Sequence, residues 1–279
     1  MKKLPIGYQL YSARREAEQD LLSVLRTLAA QGYDGVEFAG FYGHSAEEIC
    51  AMLQETGLKA VSSHVGLHLI EADMQGTIDF HKAIGCQYIA VPYLMDDRRP
   101  GTPGFASVIR AIHTFGRMCR ENGIQLLYHN HDFEFAPFSG MYGLDFLYEA
   151  ICPEILQTEI DTCWVKYAGE DPCAYLRKYA GRAPVVHLKD YVGRREGGAA
   201  PYGLLGQEEA KQNAGVAFEF RPFGYGCQDA AAVVNAAIDA GAQWVIVEQD
   251  ESVGRTPLEA AEMSIGTLKK LGLKYVFSF

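Results

Sequence analysis

One motif recurs along this chain and limits what it can fold into: a segment with helical spacing ends in glycine, and two or three residues later a β-branched or aromatic run begins. The copies read AAQGYDGVEF, QETGLKAVSS, KAIGCQYIAV, RENGIQLLYH, KYAGRAPVVHL and DAGAQWVIVE, with the glycine at Gly32, Gly57, Gly85, Gly123, Gly181 and Gly241. Each glycine suits the left-handed residue that closes a helix before the chain turns into a strand. An opening run near Ile6 to Tyr11 and another near Ile155 to Asp161, which lacks the glycine, bring the strands to eight, near residues 6, 34, 58, 88, 124, 155, 184 and 244. Helical patterns lie between them, such as Leu21, Leu22, Leu25 and Leu28, or Ile49, Met52 and Leu53 behind a capping box of Ser45 and Glu48. The last helix opens on Thr256, Pro257 and Glu259.

Alternating strands and helices imply parallel pairing with right-handed crossovers, and eight such units are the number that closes a (β/α)8 TIM barrel of the α/β class. A doubly wound open sheet would want a phosphate-binding glycine fingerprint after its first strand, where this chain has SARREAEQD. One stretch, roughly 191–230, breaks the rhythm. Its mixture of glycine, proline and aromatics, with GVAFEF as a short hairpin or strand, reads as an insertion folding over one end. The whole of 1–279 is expected to be a single domain, a usual size for such a barrel.

Charge and cysteine usage narrow the function. Lysine and arginine total 25 against 35 acidic residues, a net charge of −10 that repels a phosphate backbone, so no nucleic-acid partner is expected. The 7 cysteines are scattered without a Cys-x-x-Cys pair, which suits a reducing compartment. The opening MKKLPIGYQLYSARRE lacks a signal-like apolar stretch and no window is apolar enough to span a membrane, so the expectation is a cytoplasmic protein with no membrane partner.

In a barrel of this kind, functional groups gather at the carboxyl ends of the strands. Those ends carry Gln9 and Tyr11, Glu37, His64 and His68, Tyr93, then YHNHDFEF, TEIDT, VHLKD and VEQD. The strongest cluster combines Asp161, His187 and Glu248 with one more group from YHNHDFEF. Carboxylates with imidazole and no thiolate suit a divalent ion rather than a structural zinc site, with Mn²⁺ the leading candidate and Mg²⁺, Co²⁺ or Zn²⁺ behind it. Such a cation would offset the cost of burying that much negative charge.

The order YHNHDFEF, EIDTCWV, VHLKD and VIVEQD, headed by IGYQLYS, resembles the sugar phosphate isomerase/epimerase family with its xylose isomerase-like barrel, over nearly the whole chain. The resemblance implies a divalent ion held by Glu, Asp, His and Glu from strands five to eight. Asp161, His187 and Glu248 match the second, third and fourth of these. At the first, the family's offset lands on Tyr128, so Glu134 is taken as the first ligand, with His131 as the alternative. The family acts on ketoses, keto-sugars and cyclitols, and its barrels commonly associate, so a small sugar or cyclitol substrate and a homo-oligomer follow as expectations.

The activity so implied is isomerisation or epimerisation through an enediolate, with dehydration or lysis of a keto-inositol or keto-glycoside as the alternative and a non-catalytic sugar-binding barrel behind both. Glu248 is the preferred base, Glu134 and His131 act beside it, and Lys189 binds an oxyanion or pairs with Glu159 or Asp190. Tyr11, Glu37, His64, His129 and Trp164 are the expected substrate contacts, the aromatics by stacking on a sugar face. Arg98, Arg99, Arg194 and Arg195 read as solvated loop charges, though either pair could reach a phosphate.

Overall fold

The structure, a computed structural model, describes residues 4–193 and 218–273. Its strands fall near the eight expected positions, six of them placed by the glycine repeat: β1 (Ile6–Gln9), β2 (Gly35–Phe38), β3 (Lys59–Ser63), β4 (Tyr88–Val91), β5 (Gln125–His129), β6 (Leu156–Asp161), β7 (Val185–Leu188) and β8 (Trp244–Val247). Their order in the sheet is β3-β2-β1-β8-β7-β6-β5-β4, and every ladder is parallel. The seam between β3 and β4 is drawn together by a bridge from His64 to Ala90, where the Val65 N–H donates to the Ala90 carbonyl at 2.9 Å. The result is the (β/α)8 barrel expected from the sequence.

Local chemistry explains the element ends. All six repeat glycines adopt positive φ, between 70° and 94°. At Gly32 the amide donates to Leu28 and Ala29 carbonyls, which lets the chain leave the helix Arg14–Gln31 and enter β2 within three residues. Both expected capping boxes form: Ser45 with Glu48, and Thr256 with Glu259.

Side chains alternate between two environments along each strand. Outward residues such as Val36, Leu126, Tyr128, Ile160, Val186, Leu188, Val245 and Val247 join the main core between strands and helices. Inward residues stack in layers along the barrel axis. The lowest is apolar and contains Val61, Tyr88, Ala90, Leu127, Val185, Trp244 and Ile246. Two residues further along the same strands, the inward positions become His129, His187 and Glu248. The apolar layer plugs the floor on which a polar layer stands.

The stretch around 191–230 does form a hairpin where it is described. Asp190–Val192 pairs antiparallel with Glu219–Arg221, which overlaps the last two residues of the expected GVAFEF segment, while 194–217, including Arg194 and Arg195, lies outside the described residues. Asp190 anchors this return: its carboxylate accepts the backbone N–H groups of Tyr191, Gly224, Gly226 and Gln228 at 2.9–3.1 Å. A second hairpin, Pro137–Phe138 with Met141–Tyr142, follows β5 and has no counterpart in the sequence reading. Among the described residues no helix is long and apolar enough to cross a membrane.

Close packing between β2 and β3 leaves no space for a side chain at Gly35, where a Cβ would stand 2.6 Å from Val61 Cγ2 and 2.7 Å from the Lys59 carbonyl oxygen. Gly35→Ala is expected to reduce unfolding free energy by about 1–3 kcal/mol, through overpacking. Urea denaturation checks this; an unchanged midpoint would mean that the two strands can separate at no cost.

Candidate metal and catalytic site

The polar layer begins with His187 on β7. Its Nδ1 lies 2.9 Å from Glu248 Oε2 and its Nε2 lies 2.8 Å from Glu37 Oε1, so the ring is gripped between β8 and β2. Asp161, at the end of β6, has two separate tasks. Its Oδ1 accepts the amides of Cys163 and Trp164 and caps the next helix, whereas Oδ2 faces His129 Nε2 at 3.4 Å. His129 Nε2 is also 3.7 Å from Glu248 Oε2. Donor atoms from His129, Asp161, His187 and Glu248 lie within 4.8 Å of one another, and all four residues are buried.

Strand parity explains why His129, not Glu134, completes this set. In β5 the inward positions are Leu127 and His129, whereas Tyr128 points out to the helices. The offset that lands on Tyr128 therefore lands one residue from the side chain that faces the axis. Glu134 lies in a short 3₁₀ turn, Phe133–Phe135, and is committed elsewhere. Its Oε1 accepts the Tyr128 hydroxyl at 2.6 Å and its Oε2 accepts the His131 amide at 2.8 Å. The structure does not bring Glu134 to the other three expected ligands. His131 lines the cavity above them, with its ring 5.2 Å from those of His129 and Trp164.

Two expected substrate contacts also sit in other positions. Glu37 is completely buried beneath the cavity and is bonded to Gln9, whose Nε2 donates at 2.5 Å, as well as to His187 and His64. Gln9 cannot turn its amide the other way, because its Oε1 accepts the Tyr11 N–H. Trp164 is likewise fully buried and supports Lys189, whose Nζ stands 5.2 Å from its ring, rather than facing the cavity. Tyr11, His64, His129, His131, Lys189 and Glu248 do line it, in a cavity of about 370 Å³.

A second group lies beneath the first. His64 Nε2 is 2.8 Å from Glu159 Oε2 and 3.1 Å from Glu37 Oε1, and its ring stacks on His187 at 5.3 Å. Glu159 shares the inward face of β6 with Asp161, a relation visible in the TEID spacing but not used in reading the sequence. Asp250 was also left without a role. It pairs with Lys189 Nζ at 2.8 Å, and the same ammonium lies 3.2 Å from Glu248 Oε2 and 3.7 Å from Asp161 Oδ2.

The electrostatics follow from this crowding. Burial pushes the Glu37 carboxyl up, and neighbouring Glu159 adds to the effect. Burial also works to raise Glu159 and Glu248, but adjacent cations prevail and hold both well below the usual carboxylate range: His187 and His64 at Glu159, Lys189 with two histidines at Glu248. Asp250 rises to about 6, again through burial. Burial opposes protonation of His129, but contacts to Asp161 and Glu248 carry it to about 9. His131, buried and facing His129 and Lys189, is held well below its ordinary value.

A cation fits here on the chemistry of the donors. His129 Nε2 and Asp161 Oδ2 are buried and neither makes a hydrogen bond, although they point towards one another. Buried polar atoms are rarely left in this state without a further partner. Two imidazoles and two carboxylates from four strands converge on one point, and the Nε2 of His187 meets Glu37, the carboxylate contact that commonly fixes the orientation of a metal-binding histidine.

An α/β barrel with a buried acid and imidazole centre at the carboxyl end of its strands defines the class of the protein. The chain belongs to the xylose isomerase-like TIM barrel family, whose model matches residues 25–271. No curated protein matches its sequence. Among solved structures it is similar to a sugar phosphate isomerase/epimerase from Parabacteroides distasonis, with 21% identity, a TM-score of 0.78, and coverage of 98% of this chain and 96% of that one. It is similar to the IOLI protein with a bound zinc atom at 16% identity and a TM-score of 0.70, covering 99% and 100%. A probable 3-DHS dehydratase from Bacillus anthracis shares 10% identity with a TM-score of 0.73, covering 95% and 99%.

The position of Glu134 makes stability depend on pH. Burial raises its carboxyl from 4.5 to about 7, outweighing the bonds from Tyr128 and His131. Between these values the unfolded chain releases a proton that the folded chain keeps. Its contribution is thus fully present below pH 4.5 and is lost as pH rises through about 7. Glu134→Gln should remove a loss of order 1–3 kcal/mol between about pH 4.5 and 8, whatever constant offset the amide adds. Denaturant titrations of both proteins across that range check it; parallel pH profiles would overturn the assignment.

Proposed function

We propose that the protein is a divalent-metal-dependent isomerase or epimerase acting on a sugar, keto-sugar or cyclitol. The observation carrying this reading is the convergence of His129, Asp161, His187 and Glu248, with two buried donor atoms that lack hydrogen bonds, beside a cavity lined by further acid–base groups. The solved structures of a sugar phosphate isomerase/epimerase and of a zinc-bound barrel support it by likeness of fold. These four residues would hold the ion. The nitrogen share of the set, larger than the sequence suggested, suits Mn²⁺, Co²⁺ or Zn²⁺ better than Mg²⁺.

When bound, the ion would polarise a substrate carbonyl and its neighbouring hydroxyl. Glu248, kept ionised by Lys189 and the histidines, takes the proton from the carbon between them, and the electron pair moves to the carbonyl oxygen to give an enediolate. Lys189 and His131 border the cavity where that oxygen charge develops. Return of the proton to the adjacent carbon gives the isomer; delivery from the opposite face by a histidine gives the epimer. The single glutamate in the set favours a dehydratase or lyase reading over epimerisation, because elimination needs one base and a leaving group whereas inversion needs two opposed groups.

Asp161→Asn and His187→Ala are expected to lose bound metal, to less than about a tenth of the wild-type content, while circular dichroism remains that of a folded barrel. Elemental analysis measures the first and also separates a metal-free binding protein from an enzyme of this kind. With candidate ketoses, the metal-loaded protein should incorporate solvent deuterium at the carbon next to the carbonyl. Full metal retention in either variant would falsify the ligand set.

A further inference from the structure

The cavity is divided in two. Strands β5, β7 and β8 supply its reactive side, through His129, His131, Lys189, Glu248 and Asp250, joined by His64 from the end of β3. The opposite side comes from the ends of β1, β2, β3 and β4, and there the lining is Tyr11, Ala39, Gly40, Leu69, Pro92 and Tyr93. Leu69 is 55% exposed yet lines the same cavity as Glu248, so a large apolar side chain is held in water at the mouth of a polar site. A ligand that covers Leu69 removes that exposure.

Among the described residues, the cations around this mouth are already paired. Lys189 and His129 meet Asp250, Glu248 and Asp161. Arg98 makes a two-pronged pair with Glu71 at 2.6 and 2.7 Å. Arg99 binds Asp96 at 2.7 Å and the Tyr93 hydroxyl, and its guanidinium lies 4.1 Å from the Phe133 ring centroid. Arg14 pairs with Glu251 and donates to the carbonyls of Tyr11 and Asp250. A phosphate dianion entering here would have to break one of these pairs while facing Glu248 and Asp250.

We infer that the substrate is an uncharged sugar derivative carrying an apolar substituent, a glycoside with an apolar aglycone, its polyol ring on the reactive side and its substituent against Leu69, Pro92 and Tyr93. This rests on the sugar-directed reading above and specifies its substrate class. A polyol presents hydroxyls that suit the histidines and carboxylates, whereas the β1–β4 side offers few hydrogen-bonding groups for a second polar moiety. The inference concerns recognition and holds whichever proton-transfer outcome follows.

Binding of four probes to the full-length protein, with Mn²⁺ added, tests it: D-glucose, D-glucose 6-phosphate, and methyl and phenyl β-D-glucopyranoside, titrated by ligand-observed NMR. The phenyl glycoside is expected to bind at least about tenfold more tightly than the methyl glycoside. Leu69→Ser should remove most of that difference while leaving methyl glycoside binding within about threefold. Glucose 6-phosphate should bind no more tightly than glucose. Sugar binding with a smaller phenyl preference, a preference that survives Leu69→Ser, or tighter binding of the phosphate ester would overturn this inference and leave the sugar-directed reading standing. Failure of all four to bind a folded protein would overturn both.

Discussion

His187 is held by carboxylates on both sides, and the upper half of the barrel is organised around that grip. Glu37, Glu159, Asp161, Glu248 and Asp250 are all buried around the axis. Leaving even one of them ionised and unpaired would cost several kcal/mol. The chain offsets that cost with few cations: Lys189 meets Asp250 and Glu248, while His64, His129 and His187 link the remaining oxygens. Without an ion, positive charge on His129 and His187 and the upward push of burial on the Glu37 carboxyl reduce the excess of negative charge. Replacing that charge with a divalent cation lets His129 and His187 be neutral donors, and the Glu37 contact then orients His187 instead of neutralising it. One arrangement of side chains would thus serve both states.

Helix-closing glycines and strand-end position made much of the barrel legible in the sequence. Six of the eight strands announce themselves through a helix-closing glycine followed by a β-branched run, a local signal with a local cause. Asp161, His187 and Glu248 were recognisable for the same reason: they occupy the last inward positions of their strands, and their meeting requires only that the barrel close. The fourth member was harder. Counting inward from Leu127 selects His129, but the family offset pointed at Tyr128, and Glu134 drew attention as the glutamate in the motif. Its use as acceptor for a tyrosine hydroxyl and a backbone amide is decided by a 3₁₀ turn that no periodicity announces.

Depth along the axis was equally hidden. Glu37 and Glu159 look like rim residues in a linear sequence, because both lie near strand ends. The register of the parallel ladders shows otherwise: His129 lies beside Glu159, and Asp161 beside His187, so Glu159 is one inward step below Asp161. Stagger between neighbouring strands is a property of the closed barrel and not of any one segment. Trp164 misled in the same manner, since the helix that Asp161 caps turns its ring beneath Lys189.

In the proposed ligand set, His129 at the place where the family resemblance implies a glutamate would bear on stereochemistry. Inverting a carbon requires that a proton leave from one face and return from the other, so a pair of opposed groups of matched basicity is needed. Moving a proton between adjacent carbons on one face needs only a single base, as does elimination of a neighbouring substituent. Within the four-residue set Glu248 is the only glutamate, and the other acid–base groups that line the cavity beside it are imidazoles, Lys189 and Asp250. His131 is held well below its ordinary pKa while His129 is carried to about 9. A neutral His131 and an ionised Glu248 are both proton acceptors, so His131 could serve as a donor only after it has gained a proton. The asymmetry makes one-base chemistry the simpler task for this site, and inversion the one that requires an additional proton transfer.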